Sequence, residues 1–498
     1  MYKTAPLPIG CRMRYQRPGR GAVEDKIVVE VPVACKSMVG PIEDLCAAVA
    51  ARAASAQQSG EAVDYAQVEH ETARLTAAVE RAAHGCSLGA MEVDAKRVEI
   101  GGKRYARVGY GNGTYYTLAG PVEIPRALYR ELGVGNAPTV DAISLRAGVI
   151  GDGWLPQTAR AMAHELQKAP SREGEQTGKE TGRLPYSRAS FERVPHEVGA
   201  LYLEHRADIE DSLVRCLAIP NEARAVSVSL DRVSVPMEEP IPRSPGRPRK
   251  NAPKVKRVFR MAYCGTVTLH DARGKALYTM RFGQMPGLDP RDLCNAMAST
   301  VFRLRQKQTE LALQLLADGA HEMWNLLEPS FPVEVFGRRH LLVDFWHVVE
   351  KLYPAAATIY GTSEAEEVMK QWRGLLKRRK DAAAEILAEL QQSGCEEPDV
   401  GSDADRPVHD AITYLTNHAD RMNYAGARVK GLPIGSGSVE ASCKTLFGIR
   451  MKRAGSRWKE QTGEHVVKLR ALALSDQWDG AMTNLMATQR TAVRGMAA

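Results

Sequence analysis

Three signatures that would classify a chain quickly are missing from this one. Its nine cysteines, at 11, 35, 46, 86, 216, 264, 294, 395 and 443, are scattered, and no two form a Cys-x-x-Cys pair. That pattern supports neither a zinc ribbon nor a disulfide framework and reads as reduced thiols in a cytoplasm. No uninterrupted apolar run approaches the ~18 residues of a membrane span, and no apolar core with a small-residue cleavage site opens the chain. Internal repeats and low-complexity tracts are also missing. A soluble intracellular protein with no membrane partner is the expectation.

What is present is a chain of 498 residues, 44% hydrophobic and 25% charged. That length exceeds what one core serves, so two to four units are expected. The formal charge of +8 points only weakly to nucleic acid. Local clustering says more.

Residues 1–125 read as an α+β region with no legible chemistry. Helical stretches at 42–57 and 61–84 precede a hairpin at 96–125, with turns expected at Gly101-Gly102 and Gly111-Asn112-Gly113. Residues 126–210 read as helical. Helices are expected at 156–166, 171–181 and 187–203, a helix-turn-helix grammar with the helix near Arg188 as recognition element. A plain helical bundle is the alternative.

Residues 211–498 turn α/β. One strand ends at Asp231, two more lie near 255–269 and 275–282, and a helix spans 289–307. Another strand reaches Asp318, and Leu341-Leu342-Val343 precedes a helix starting near Phe345. A three-strand meander, a helix, then strand–helix units is the order of an RNase H-like sheet, whose function gathers at strand carboxyl ends. The 122 positions between Asp318 and Glu440 exceed that core. Residues 355–430 are therefore read as an all-helical insertion, with a capping box at Ser363-Glu364-Ala365-Glu366.

Three carboxylates carry the chemistry. Asp231 ends an alternating stretch, Asp318 ends an apolar run before Gly319, and Glu440 follows Gly435-Ser436-Gly437-Ser438-Val439 at a helix start. Each alone is a weak signal, because strand-end aspartates are common turn formers. Gathered together they suit hard divalent cations, two of which clamp the attacking and leaving oxygens of a phosphodiester. Asp344 competes with Asp318 for the second position. His347, three residues on, reads either as a ligand or as a packing histidine.

Two basic clusters accompany them. Between Arg243 and Arg260 stand eight cations and no acid, and the core Gly246-Arg247-Pro248-Arg249-Lys250 looks like an arm for the narrow minor groove of A·T-rich DNA. A solvated basic loop is the alternative. The second cluster, Lys444, Arg450, Lys452, Arg453 and Arg457 with Trp458, is placed to grip phosphates while Trp458 stacks on an unpaired base.

The stretches Val228–Met237, Cys264-Gly265-Thr266-Val267, Leu316-Ala317-Asp318-Gly319-Ala320, Val343-Asp344-Phe345-Trp346-His347 and Gly431–Lys444 occur in this order, followed by Ser456-Arg457-Trp458. With them the chain resembles bacterial insertion-sequence DDE transposases of the ISKra group, relatives of the Mutator-like enzymes, over roughly 185–480. Arg232 stands where that family usually has glycine. The resemblance implies a catalytic, metal-binding triad of Asp231, Asp318 and Glu440, with Asp344 and His347 in an auxiliary position. It further implies Mg²⁺, with Mn²⁺ able to substitute, and double-stranded DNA as partner, both the element's terminal inverted repeats and the target. Pairing two ends implies at least a homodimer, in a nucleoid-associated setting. A structure-selective nuclease and a domesticated DNA-binding regulator are the alternative functions.

Overall fold

Every residue from Ala225 to Leu230 is buried, which marks a strand covered on both faces. In the computed structural model, which describes residues 30–241, 255–394 and 406–496, this stretch opens β1 (Ala225–Pro240). The other strands of its sheet are β2 (Val255–His270), β3 (Ala276–Gln284), β4 (Ala312–Ala317) and β5 (Arg339–Val343). Their spatial order is β3-β2-β1-β4-β5. Strands β1, β2 and β3 form an antiparallel meander, whereas β1–β4 and β4–β5 pair in parallel. The helix Pro290–Lys307 connects β3 to β4 and buries Leu293, Met297, Val301 and Leu304 in the main core.

The described residues fall into two compact units, and the sheet belongs to the one built from Ala163–Pro170 and Pro195–Leu485. Its helical insertion consists of Thr362–Arg378, Ala382–Gln392, Pro407–His418 and Tyr424–Val429. Ala365, Met369, Trp372 and Leu376 recur at helical spacing and join the main core, so the insertion packs as part of this unit. The expected capping box does not form. Gly361 takes the cap position without a side-chain bond, and the helix ends at Arg378 before a new one starts at Ala382.

Strand β1 also departs from expectation, because it does not stop at Asp231. Val235 and Met237 continue it against Ala262 and Cys264 of β2 and against Val439, Leu446, Phe447 and Val467, a second core that keeps the ladder extended. Arg232 therefore sits in extended strand opposite Tyr263 and ion-pairs with Glu322, and no turn is asked of it.

The other unit holds a four-stranded antiparallel sheet, ordered Gly120–Glu131, Lys103–Thr117, Arg97–Ile100 and Val493–Gly495. Gly101 (φ 56°) and Gly102 (φ 78°) make the expected tight turn. Gly111-Asn112-Gly113 is not a turn but the middle of a strand, paired with Arg126, Pro125 and Ile124. A Cβ at 113 would lie 2.7 Å from the Arg126 guanidinium, so the Arg126 side chain lies across the open face of this glycine. The helices Pro156–Lys168, Ser171–Thr181 and Arg188–Glu204 lie where the sequence placed them, and their residues divide between the two units. Among the described residues no helix is long and apolar enough to cross a membrane.

Candidate metal centre

Leu230, Ala317 and Val343 stand at one level of the sheet, since Leu230 pairs with Ala317 and Ala317 with Val343 in the parallel ladders. The next residue on each strand is an aspartate: Asp231, Asp318 and Asp344. Adjacent strands are ~4.8 Å apart, so register alone lines up three carboxyl-bearing residues on the rim. The Asp344 N–H donates to the Ala317 carbonyl at 2.9 Å, which carries the ladder to that rim.

Asp344 is the most constrained of the three. It is fully buried and caps the helix Phe345–Tyr360, accepting the N–H of Trp346 (2.6 Å) and of His347 (3.0 Å) on Oδ1. Its Oδ2 accepts the N–H of Ser436. Burial alone would raise this carboxyl, but His347 and the Ser436 and His347 N–H groups outweigh it and hold the carboxyl down to about 2. The His347 Nδ1 lies 3.3 Å from Asp344 Oδ1, and that carboxylate, opposed by burial, raises the imidazole to about 9.

Ser436 belongs to the stretch that delivers Glu440. The Pro433 carbonyl accepts from Gln314 Nε2 of β4 (2.8 Å), and the Ile434 carbonyl from the Phe345 N–H (2.9 Å). Gly435 lets this stretch pass close to the rim, since a Cβ would lie 3.3 Å from the Trp346 ring and 3.6 Å from Asp344 Oδ2. The helix Gly437–Ser442 then packs on β1 and β2, with Ser438 Oγ 3.4 Å from Thr266 Oγ1. Ser436 Oγ donates to Glu440 Oε1 at 3.3 Å. Glu440 is thereby grouped with Asp344 and His347, their ligand atoms all within 4.8 Å of one another, and the three could hold a metal ion.

Asp231 and Asp318 flank that group on the same rim. Asp231 Oδ1 accepts the Arg232 N–H (2.6 Å), and Oδ2 the Cys443 thiol (3.4 Å). Cys264, burial and Asp231 together raise the Cys443 thiol, so it stays protonated as a donor. Asp318 Oδ1 accepts the Ala320 N–H (3.0 Å), and burial followed by the Asp231 charge holds its carboxyl above the usual range. Gly319 is required because the Tyr414 ring of the insertion lies 2.4 Å from where a Cβ would be. Asp344, His347 and Glu440 are thus the group that could hold an ion, with the Asp231 and Asp318 carboxylates placed on the same rim by the strand register, and a cation bound nearby would lower the Asp318 carboxyl again.

The second basic cluster is split. Lys444, Lys452, Arg453 and Arg457 are exposed, with Arg457 ion-paired to Glu238 (3.3 Å). Arg450 is buried, and its Nε and Nη2 donate to the Leu166 carbonyl at 3.0 and 2.9 Å, so it is a structural cation and not a surface grip. Trp458 is likewise engaged. It packs on the second core, donates Nε1–H to the Met451 carbonyl (3.0 Å) and lies under Arg450, so it offers no free stacking face of the kind expected of it. Arg247, Arg249 and Lys250 lie outside the described residues.

Sequence reasoning missed Ser436, Cys443 and Tyr414. Cys443 alone carried a signal, three residues beyond Glu440 on a helix. No family model and no curated protein matches the chain. Among solved structures it is similar to the Drosophila P element transposase strand transfer complex, at 13% identity and a TM-score of 0.24, over 67% of this chain and 83% of that one. At that identity and TM-score the likeness decides neither fold nor chemistry, which rest on the geometry above.

Proposed function

We propose that the chain is a metal-dependent phosphoryl-transfer enzyme acting on DNA, a DDE transposase built on an RNase H-like sheet. One observation carries this reading: three neighbouring strands of a β3-β2-β1-β4-β5 sheet end their shared register in Asp231, Asp318 and Asp344, with the Glu440 helix packed on β1 and β2. Those four carboxylates would hold Mg²⁺, for which Mn²⁺ substitutes. Bound divalent ions supply an activated water and stabilise charge developing on phosphate oxygens.

The chain's own groups set up the rest. Asp344, fixed by three backbone N–H groups, holds the His347 Nδ1 3.3 Å away, so that the imidazole stands within reach of the same ion as Asp344 and Glu440. Ser436 and Cys443 orient the Glu440 and Asp231 carboxylates. Water attacks phosphorus and the strand's 3′-oxygen leaves as a hydroxyl. That hydroxyl then attacks target DNA in a second in-line displacement at the same centre. Lys444, Lys452, Arg453 and Arg457, with Arg247, Arg249 and Lys250, supply phosphate and groove contacts. Recognition of the element's ends falls to the helices between Ser171 and Glu204, and pairing two ends needs at least a dimer.

The test uses duplexes taken from the DNA flanking the gene on both sides, incubated with the chain and Mg²⁺ or Mn²⁺. Cleavage at the repeat end followed by joining to a second duplex supports the reading. Specific binding without cleavage under either metal would establish a regulator, and cleavage without joining a nuclease.

A further inference from the structure

Five of the six tryptophans are accounted for by packing. Trp154, Trp324, Trp372 and Trp478 are buried, and Trp458 is half-buried with its N–H bonded. Trp346 is 52% exposed. Leaving so large an apolar ring in water forgoes burial energy, and this one stands between Asp344 and His347.

The ring is held in place. The Trp346 backbone N–H is tied to Asp344 Oδ1 at 2.6 Å, the Phe345 ring meets the indole edge-on at 5.3 Å, and Gly435 lies against the indole, the place of a Cβ being 3.3 Å from it. Its surroundings are cationic. The Lys377 Nζ sits 5.7 Å from the Trp346 ring centre and 4.7 Å from that of Phe345. Arg428 Nη1 donates to the Lys377 carbonyl at 3.1 Å, which brings the end of the Tyr424–Val429 helix beside it. Burial, then Arg428 and Arg373, lower the Lys377 ammonium, a cost that an approaching anion would offset. A rigid exposed aromatic ring with cations beside it is what a nucleotide needs: a face for the base and charge for its phosphate. An apolar protein partner would gain nothing from the cations.

We propose that Trp346 is a stacking platform for an unpaired nucleobase of the DNA strand whose phosphate enters the acidic group, and that Lys377 and Arg428 hold that nucleotide's phosphate. The inference rests on the DNA-processing reading above. A base reaches the indole face only after leaving its own stack, so the platform selects DNA that is single-stranded or opened at the reaction point. The insertion thereby contributes to substrate choice through Lys377 and Arg428.

The test compares a fully paired duplex with one carrying a short single-stranded tail that has 2-aminopurine at the junction. The full-length chain is used with metal omitted, so that no DNA is cut. The wild type should bind the tailed duplex more tightly and quench the 2-aminopurine. Trp346→Ala should lose roughly 5- to 150-fold in affinity for the tailed duplex and lose the quenching, leaving the paired duplex unaffected. Trp346→Phe should retain both effects within a few-fold, and an unchanged melting temperature for Trp346→Ala establishes that the ring acts on DNA and not on the fold. Lys377→Gln should flatten the salt dependence of binding by about one unit. Wild-type binding and quenching by Trp346→Ala overturns the platform alone. Failure of the wild-type chain to bind either DNA overturns the DNA-processing reading, and the platform with it.

Discussion

Asp318 and Asp231 occupy equivalent places on neighbouring parallel strands, each directly after a register partner, and the Asp231 charge joins burial in opposing ionisation of Asp318. A cation bound beside Asp318 would offset both effects. Asp318→Asn should therefore raise the melting temperature of the metal-free protein by a few degrees, the familiar exchange of function for stability. Mg²⁺ should stabilise the wild type and leave the variant unmoved. A thermal melt with and without metal checks both, and a destabilised Asp318→Asn would remove the argument from repulsion.

The grouping of Glu440 with Asp344 and His347 makes a separate claim about chemistry. Asp231→Ala, Asp318→Ala, Asp344→Ala and Glu440→Gln should each abolish cleavage while duplex binding stays within a few-fold. Full activity in Asp318→Ala beside a dead Asp344→Ala would mean that the second carboxylate is the buried one.

Much of this rim was legible. The alternating stretch at Ala225–Leu230, the apolar stretch before Asp318 and the Gly-Ser-Gly-Ser lead into Glu440 each lie within a local pattern, although the alternation pointed to one buried face and Ser227 and Ser229 are buried as well. What was not legible depends on distant partners. Asp231 sits in mid-strand because Val235 and Met237 find a core in Leu446, Phe447 and Val467. Glu440 reaches Asp344 through the Ser436 N–H, a bond across 92 positions. Arg450 leaves the surface for a carbonyl 284 positions away, and Trp346 rather than Trp458 stays exposed. Local periodicity carries none of these.

Arg450 and the exposed cations near it should separate cleanly. Arg450→Ala strands the Leu166 carbonyl and removes the guanidinium lying 4.8 Å over Trp458, so a stability loss of about 2–4 kcal/mol is expected in a denaturant titration. Lys444→Ala and Lys452→Ala should each stay within about 0.5 kcal/mol of wild type and lower the salt slope of DNA binding by about one unit.

Lys468 and Glu464 form a buried pair, 3.1 Å apart, in which the ammonium also donates to the Gly283 carbonyl (2.8 Å) and the carboxylate accepts the Met285 N–H (2.7 Å). Lys468→Met leaves that carboxylate without its ion-pair partner, with only the Arg206 charge and the Met285 N–H beside it, and should cost about 3 kcal/mol. Adding Glu464→Gln should restore most of the loss. Equal destabilisation in the single and double variants would place the cost in packing instead.

Acid should find a weak point at His465. It is buried, and burial, then His196, lowers its imidazole from 6.5 to about 4. The unfolded chain thus binds a proton that the fold refuses, and stability present above pH 6.5 drains away as pH falls from 6.5 towards 4. The full effect is on the order of 3 kcal/mol. His465→Gln should flatten that limb of the stability–pH curve, while Gly199→Ala, whose Cβ would lie 2.5 Å from the His465 Cβ, should lower stability at every pH.

The β1–β2 ladder stays paired from Ala225 with His270 to Pro240 with Val255, well beyond the aspartate rim. Whatever joins Pro240 to Val255 therefore starts and finishes at two anchored neighbours. Doubling the length of a flexible join costs only about 0.6 kcal/mol in closure entropy. Descendants of this gene are free to lengthen, shorten or exchange that basic stretch at a single locus while the carboxylates stay where they are.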